Sequence, residues 1–112
     1  MSNSQDIKIY SSRTTIAAAG TRQVLVAGDR GSRLAKAVRI RALATNTGNI
    51  YFSGDNRVSS TVGDILAPGE VVAFDVSQLG PRVNIDLTHI WLDADTNANA
   101  VTWTALMESE PI

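Results

Sequence analysis

Thr45-Asn46-Thr47-Gly48-Asn49-Ile50-Tyr51-Phe52-Ser53-Gly54 is the pivot of this chain. It reads as two strands meeting at a tight turn. The strand before it runs from Leu34 to Ala44. The strand after it, Ile50 to Ser53, stops at Gly54-Asp55-Asn56. Asn-Thr-Gly-Asn is turn chemistry, because Asn and Gly tolerate the positive φ that a reversing backbone needs. No side chain in this stretch is equipped to act on a substrate.

The long strand carries the first functional hint. Period two places Leu34, Val38, Ile40, Ala42 and Ala44 on one face, interrupted by Lys36. It places Arg39 and Arg41 on the other, with Ala35, Ala37 and Leu43. Read as a helix, the stripe Leu34-Val38-Arg41 carries a charge on its apolar side, so the strand reading wins. Two arginines on the outer face of a strand suit bidentate contact with carboxylates. They also serve simply to keep a β-surface soluble.

Working outward, the same pattern recurs. Residues 1–6 are a polar tail, and Ile7-Lys8-Ile9-Tyr10 alternates. Ala17-Ala18-Ala19 is halted by Gly20 too soon for a stable helix. Val24-Leu25-Val26 fits a strand buried on both faces. Beyond the pivot, residues 55–64 are polar, with Val58 and Val62 as anchors, and Pro68-Gly69 suits a type II turn. Val71 to Val76 follows as a strand with Val72, Phe74 and Val76 inward. Val83 to Leu87 alternates after the break at Gly80-Pro81. His89 to Ala94 is a strand with Trp91 on the face opposite Ile90 and Leu92, and Asp95 to Asn99 is a turn. Val101, Trp103 and Ala105 face inward on the last strand, and 108–112 is a tail. Short alternating runs separated by turns predict an all-β, antiparallel β-sandwich or jelly roll of about seven or eight strands.

Size and composition bound the function. A chain of 112 residues is one domain with a core of its own. It has no cysteine, which excludes disulfides, thiolate metal sites and thiol nucleophiles. The polar N-terminus lacks the features of a signal peptide, and no apolar run approaches the ~20 residues of a membrane span. A formal net charge of −1 argues against coating nucleic acid. The charges are segregated, however. Arg30, Arg33, Lys36, Arg39 and Arg41 crowd one segment without an acid, while Val83 to the end holds Asp86, Asp93, Asp95, Glu108 and Glu110 without a Lys or Arg. Such asymmetry is met inside the fold, between copies, or on a partner.

Candidate chemistry is sparse. Asp93-Ala94-Asp95-Thr96-Asn97-Ala98-Asn99 offers oxygens on alternate residues, as a Ca²⁺ loop does. The EF-hand version needs Gly at its sixth position and Glu at its twelfth, where this chain has Ala98 and Thr104. Asp and Asn are equally the residues of a plain turn. Gly28-Asp29-Arg30-Gly31-Ser32 lacks the Gly-Lys-Ser/Thr ending and following helix of a phosphate loop. His89, the single histidine, sits at no spacing that compels a triad or a metal. The expectation is a protein with no catalytic residues and no cofactor. Trp91 is the aromatic placed to stack on a sugar or fill a partner's pocket.

Several runs resemble small virion proteins of tailed bacteriophages. They are Ala44 to Gly54, then Leu66-Ala67-Pro68-Gly69-Glu70, then Leu87-Thr88-His89-Ile90-Trp91-Leu92-Asp93-Ala94, then a last alternating strand. Similar runs occur in phage β-sandwich structural proteins, including small head-decoration (cement or staple) proteins. The resemblance implies a capsid-stabilising protein on the virion surface, made in the host cytoplasm. Its partners would be the major capsid protein and copies of itself, as a dimer or trimer, with no nucleic acid or membrane. Arg30, Arg33, Arg39, Arg41 and Trp91 are the partner-binding candidates. The alternatives are a neck, tail or fibre component, and a carbohydrate- or receptor-binding module that takes sugar through Trp91 and the Asp93–Asn99 loop.

Overall fold

The computed structural model describes residues 7–26, 34–80 and 82–108. In chain order its strands are β1 (Ile7–Thr15), β2 (Gln23–Val24), β3 (Leu34–Ala35), β4 (Ala37–Ala42), β5 (Ile50–Ser53), β6 (Asp64–Leu66), β7 (Val71–Asp75), β8 (Ile85–Asp86), β9 (Trp91–Ala94) and β10 (Ala100–Glu108). A 3₁₀ turn spans Leu87–His89. One four-stranded sheet has the order β1-β10-β4-β7, the other β2-β9-β5-β6, and β3 pairs with β8 in a small ribbon. Every pairing is antiparallel. Two facing sheets that share out consecutive strands in this way are a jelly roll.

The central strand of the first sheet is β10. Its alternation is strict: Val101, Trp103, Ala105 and Met107 are buried, while Leu106 is exposed. It runs against β1 without a slip, from Thr15↔Ala100 to Ile7↔Glu108. Its other side pairs with β4, from Val101↔Ala42 to Leu106↔Ala37. The core lies between the sheets, where Val38, Ile40 and Val101 meet Ile50, Leu66 and Leu92, with Ile16, Leu25 and Leu87 closing its margins. Each such side chain contributes roughly 1.5–3 kcal/mol by leaving water.

The pivot differs from the sequence expectation. Its two strands do not form a hairpin: β4 belongs to one sheet and β5 to the other. The turn at 46–49 is therefore a crossing between layers. Turn residues only reverse the backbone, and what the next strand pairs with is decided by its side chains. Ile50, Tyr51 and Phe52 are all buried, so β5 is covered on both faces and cannot serve as the outer arm of a hairpin.

Four such crossings lie at one end of the sandwich: 16–22, 43–49, 67–70 and 95–99. Asn46 behaves there as a piece of strand. Its Nδ2 donates to the Ala100 carbonyl at 2.9 Å, and its Oδ1 accepts from the Ala100 N–H at 3.0 Å. The crossing at 67–70 is the expected type II turn, with Gly69 at φ +85 and Glu70 N–H donating to Ala67 O at 2.9 Å.

Other expectations shift in detail. The strand expected over Leu34–Ala44 breaks at Lys36 and ends at Ala42. Ala35 is buried and Leu34 exposed, so the phase inverts across Lys36. The Lys36 ammonium tucks under the fold and donates to Val83 O at 2.7 Å and Gly80 O at 3.3 Å. Of the two anchors of the 55–64 loop, Val58 is fully buried, but Val62 is exposed. Val83 is also exposed, because β8 is short and the chain turns into the 3₁₀ segment. Phe74 faces inward to meet Phe52 edge-on, ring centroids 6.2 Å apart, yet stays partly exposed on the sheet's edge strand. Glu108 closes β10 rather than opening a tail. The tails at 1–6 and 109–112, the Gly28–Ser32 loop, Arg30 and Arg33 lie outside the described residues.

Two substitutions test the crossing. A Cβ on Gly48 would sit 2.7 Å from Asp95 Cβ and 2.9 Å from Thr96 Oγ1. Gly48→Ala should therefore cost about 1–3 kcal/mol. Asn46→Ala strands the Ala100 N–H, while the Ala100 carbonyl keeps its bond from Leu43 N–H at 3.1 Å, and should cost about 1–3 kcal/mol as well. Urea denaturation of each variant against the parent checks both values.

Candidate functional site

The outer face of the β1-β10-β4-β7 sheet is the most distinctive surface. Register fixes its layout. Arg13, Thr102, Arg41 and Val71 stand abreast across the four strands. Ser11, Thr104, Arg39 and Ala73 form the next row, and Ile9, Leu106, Ala37 and Asp75 the row after that. Alternation on β4 makes this the only outcome: Val38, Ile40 and Ala42 are buried, so Arg39 and Arg41 must project outward.

Three guanidinium groups thus share a patch about 10 Å across, given strand spacings of about 4.8 Å. All three arginines are exposed. Among the described residues none of them meets an acid in an ion pair. The nearest acid in the layout, Asp75, is turned to its own loop. Its carboxylate accepts from Ser77 Oγ at 2.6 Å and Ser77 N–H at 2.8 Å, and these bonds hold its pKa below the usual value. Ser11 and Thr104 bond each other at 3.0 Å between the arginines. Exposed Val71, Ile9 and Leu106 border the patch. Arg39 and Arg41 were identifiable from alternation alone. Arg13 was not, because its position beside them depends on β10, which lies some ninety residues away in sequence.

The Asp93–Asn99 segment is bound into the fold instead. Asp93 Oδ1 accepts from Gly20 N–H at 2.9 Å and Ala94 N–H at 2.8 Å. Asp95 accepts from Asn49 N–H at 3.1 Å and from the Tyr51 hydroxyl at 2.6 Å. Asn97 Oδ1 accepts from Ala19 N–H at 2.7 Å, and Asn99 Oδ1 from Thr47 N–H at 3.3 Å. These oxygens face N–H donors, which would repel a cation. No group of three metal-ligating side chains occurs among the described residues.

Trp91 lies on the outer face of the second sheet, as alternation predicted, but it is half-buried. It stands in a row with Val24 and Ser53. His89 is exposed and lies 3.7 Å from the Asp86 carboxylate. A cleft of about 410 Å³ opens where β1 parts from β2 and adjoins the arginine patch, lined by Trp103, by Tyr10 to Thr14 with Arg13 among them, and by Leu25 and Val26. Trp103 Nε1 is buried there without a hydrogen-bond partner. Thr14 Oγ1 closes one end by donating to Leu25 O at 2.7 Å.

Set against protein-family models, curated proteins and solved structures, the chain finds no match.

The bond to Asp95, aided by burial, holds the Tyr51 phenol above its ordinary value of 10.0. The folded chain therefore keeps this proton longer than the unfolded one. Its contribution is complete below about pH 10 and is lost as the pH rises through the raised value. Urea titrations between neutral and strongly alkaline pH should show this loss in the parent. Tyr51→Phe should cost about 1 kcal/mol at neutral pH and remove that alkaline component.

Proposed function

We propose that this chain is a non-enzymatic structural protein of a phage virion. In this reading it is a decoration or cement protein that stabilises the shell by binding the outer surface of the major capsid protein. The jelly-roll architecture serves viral capsid and lectin domains alike, so the fold by itself does not choose between them. The sequence resemblance favours the virion, and the arginine face supplies a means of attachment.

That face is the observation on which the reading rests. Arg13, Arg39 and Arg41 project from three adjacent strands with no acid paired to them among the described residues. Guanidinium groups held on a rigid sheet suit bidentate contact with carboxylates on a partner. Apolar Val71 and Leu106 at the border add area that leaves water on docking. The glycan alternative is weaker at the Asp93–Asn99 loop, whose oxygens already accept hydrogen bonds from this chain. A neck, tail or fibre position uses the same face and differs in copy number per particle.

Co-sedimentation with shells lacking the protein tests the proposal. The parent should bind saturably and raise the shell's melting temperature, with affinity falling as salt rises. Arg39→Ala with Arg41→Ala should weaken binding about tenfold or more at low salt and flatten the salt dependence. A double variant that decorates shells like the parent would remove this face from the interface. Failure of the parent to bind any shell would remove the cement role.

A further inference from the structure

We infer that the free edge of β1 seats a second copy of this chain, added strand to strand about a two-fold axis at Ser11. The inference does not depend on what the arginine face docks to.

β1 is the outer strand of its sheet, bonded on one side to β10 and, among the described residues, open on the other. Natural sheets blunt such edges with short strands, prolines, bulges or charged side chains. β1 is nine residues long, lacks proline and keeps an unbroken register with β10, and its two charges, Lys8 and Arg13, leave Ile9 to Ser12 between them uncharged. Among the described residues no strand pairs with its open side. An exposed edge of this length is a template for another strand.

The strand is complementary to itself. An antiparallel pairing that uses all of Ile7–Thr15 centres on Ser11 opposite the partner's Ser11. On the outer face Ile9 then lies opposite the partner's Arg13. Ile9 is 70% exposed in the single chain, and the aliphatic stem of an arginine is a suitable cover. On the inner face Lys8 lies opposite the partner's Thr14, and Tyr10 opposite the partner's Ser12. No charge faces a like charge.

The inner face supplies the second argument. The cleft over Trp103 opens directly beside this edge, between β1 and β2. In the same register the partner's Tyr10 stands opposite Ser12, at the mouth of that cleft. Tyr10 is 39% exposed in the single chain. Each copy thus offers an aromatic ring to the cleft of the other, as alternate side chains do when a strand is added to a sheet. The two-fold stands perpendicular to the sheet, so two four-stranded sheets become one of eight strands. Arg13, Arg39 and Arg41 of both copies then share one continuous face, which gives a contact repeated by symmetry.

The full chain tests this directly. Sedimentation equilibrium at submillimolar concentration should give twice the chain mass of 11.9 kDa. The chain has no cysteine, so an introduced one reports its own position. Opposed residues on paired strands lie about 4.5–5.5 Å apart at Cα, within disulfide reach. Ser11→Cys should therefore cross-link to a dimer under mild oxidation. Thr15→Cys, about 27 Å from its mate along the strands, should not. Ile9→Lys faces the partner's Arg13 and should give a folded monomer with the parent's circular dichroism spectrum. Adding Arg13→Glu should restore the dimer. A parent that sediments as a monomer or trimer overturns the inference. So does a dimer that survives Ile9→Lys, or one in which Thr15→Cys cross-links as readily as Ser11→Cys.

Discussion

Backbone that passes from one sheet to another leaves the ladder and loses its partners. Each N–H and C=O so released must be satisfied elsewhere. In this jelly roll the connection 95–99 supplies much of that satisfaction. Asn99 O accepts from Ile16 N–H at 2.8 Å, and Ala98 N–H donates to Ile16 O at 2.9 Å, which binds the first crossing. Asp95 and Asn99 hold the second crossing through Asn49 and Thr47, and Asn46 returns the bond to Ala100. The sandwich closes because short Asp and Asn side chains on one turn act as partners for its neighbours. This is also why Gly48 has no room for a Cβ: the second crossing lies directly against Asp95 and Thr96.

The same demand explains the segregation of charge. Every acid whose side chain is described caps a backbone N–H. Asp55 takes Arg57, Asp64 takes Ile65, Glu70 takes Ala67, and Asp75 takes Ser77. Asp86 takes Thr88, Asp93 takes Gly20, and Asp95 takes Asn49. The acids are thus committed to turns and crossings, where a carboxylate is the best available acceptor. Two cations serve carbonyls in the same way, Lys36 at Gly80 and Val83 and Arg22 at Val58. The arginines of β1 and β4 remain on the outer sheet face with no ion pair among the described residues. A chain with a net charge of −1 can therefore present a cationic surface.

Alternation made much of this legible in advance. Val101-Thr102-Trp103-Thr104-Ala105 gave the central strand and its buried face, and Val38-Arg39-Ile40-Arg41 gave the direction of both arginines. Pro68-Gly69 gave its turn type. What failed was pairing. Asn-Thr-Gly-Asn is the same local chemistry in a hairpin and in a crossing, and only the burial of three consecutive residues, Ile50, Tyr51 and Phe52, separates the two. Lys36 read as a blemish in one strand, whereas it marks the point where the chain changes partner from β8 to β10. Asp93–Asn99 read equally as an ion loop or a turn, because both need oxygen at short spacing. The direction of the donors around those oxygens decides it, and that direction is a tertiary fact.

These constraints also fix where binding can reside. In many β-sandwiches the loops at one end carry recognition, since the sheets need only hold them in place. Here the loops at the crossing end are occupied with one another, and the side-chain oxygens of Asp93, Asp95, Asn97 and Asn99 accept bonds from neighbouring segments. In the proposed role, binding passes to the sheet itself. Backbone on a ladder is held at fixed spacings, so the Cα positions of the three arginines on β1 and β4 are set before any partner arrives. Less backbone entropy is then lost on docking. The limit of such a platform is its width, set by four strands. Such a platform widens without a new core by continuing the ladder past an edge strand, and of the two edges, β1 and β7, β1 is the longer, nine residues against five.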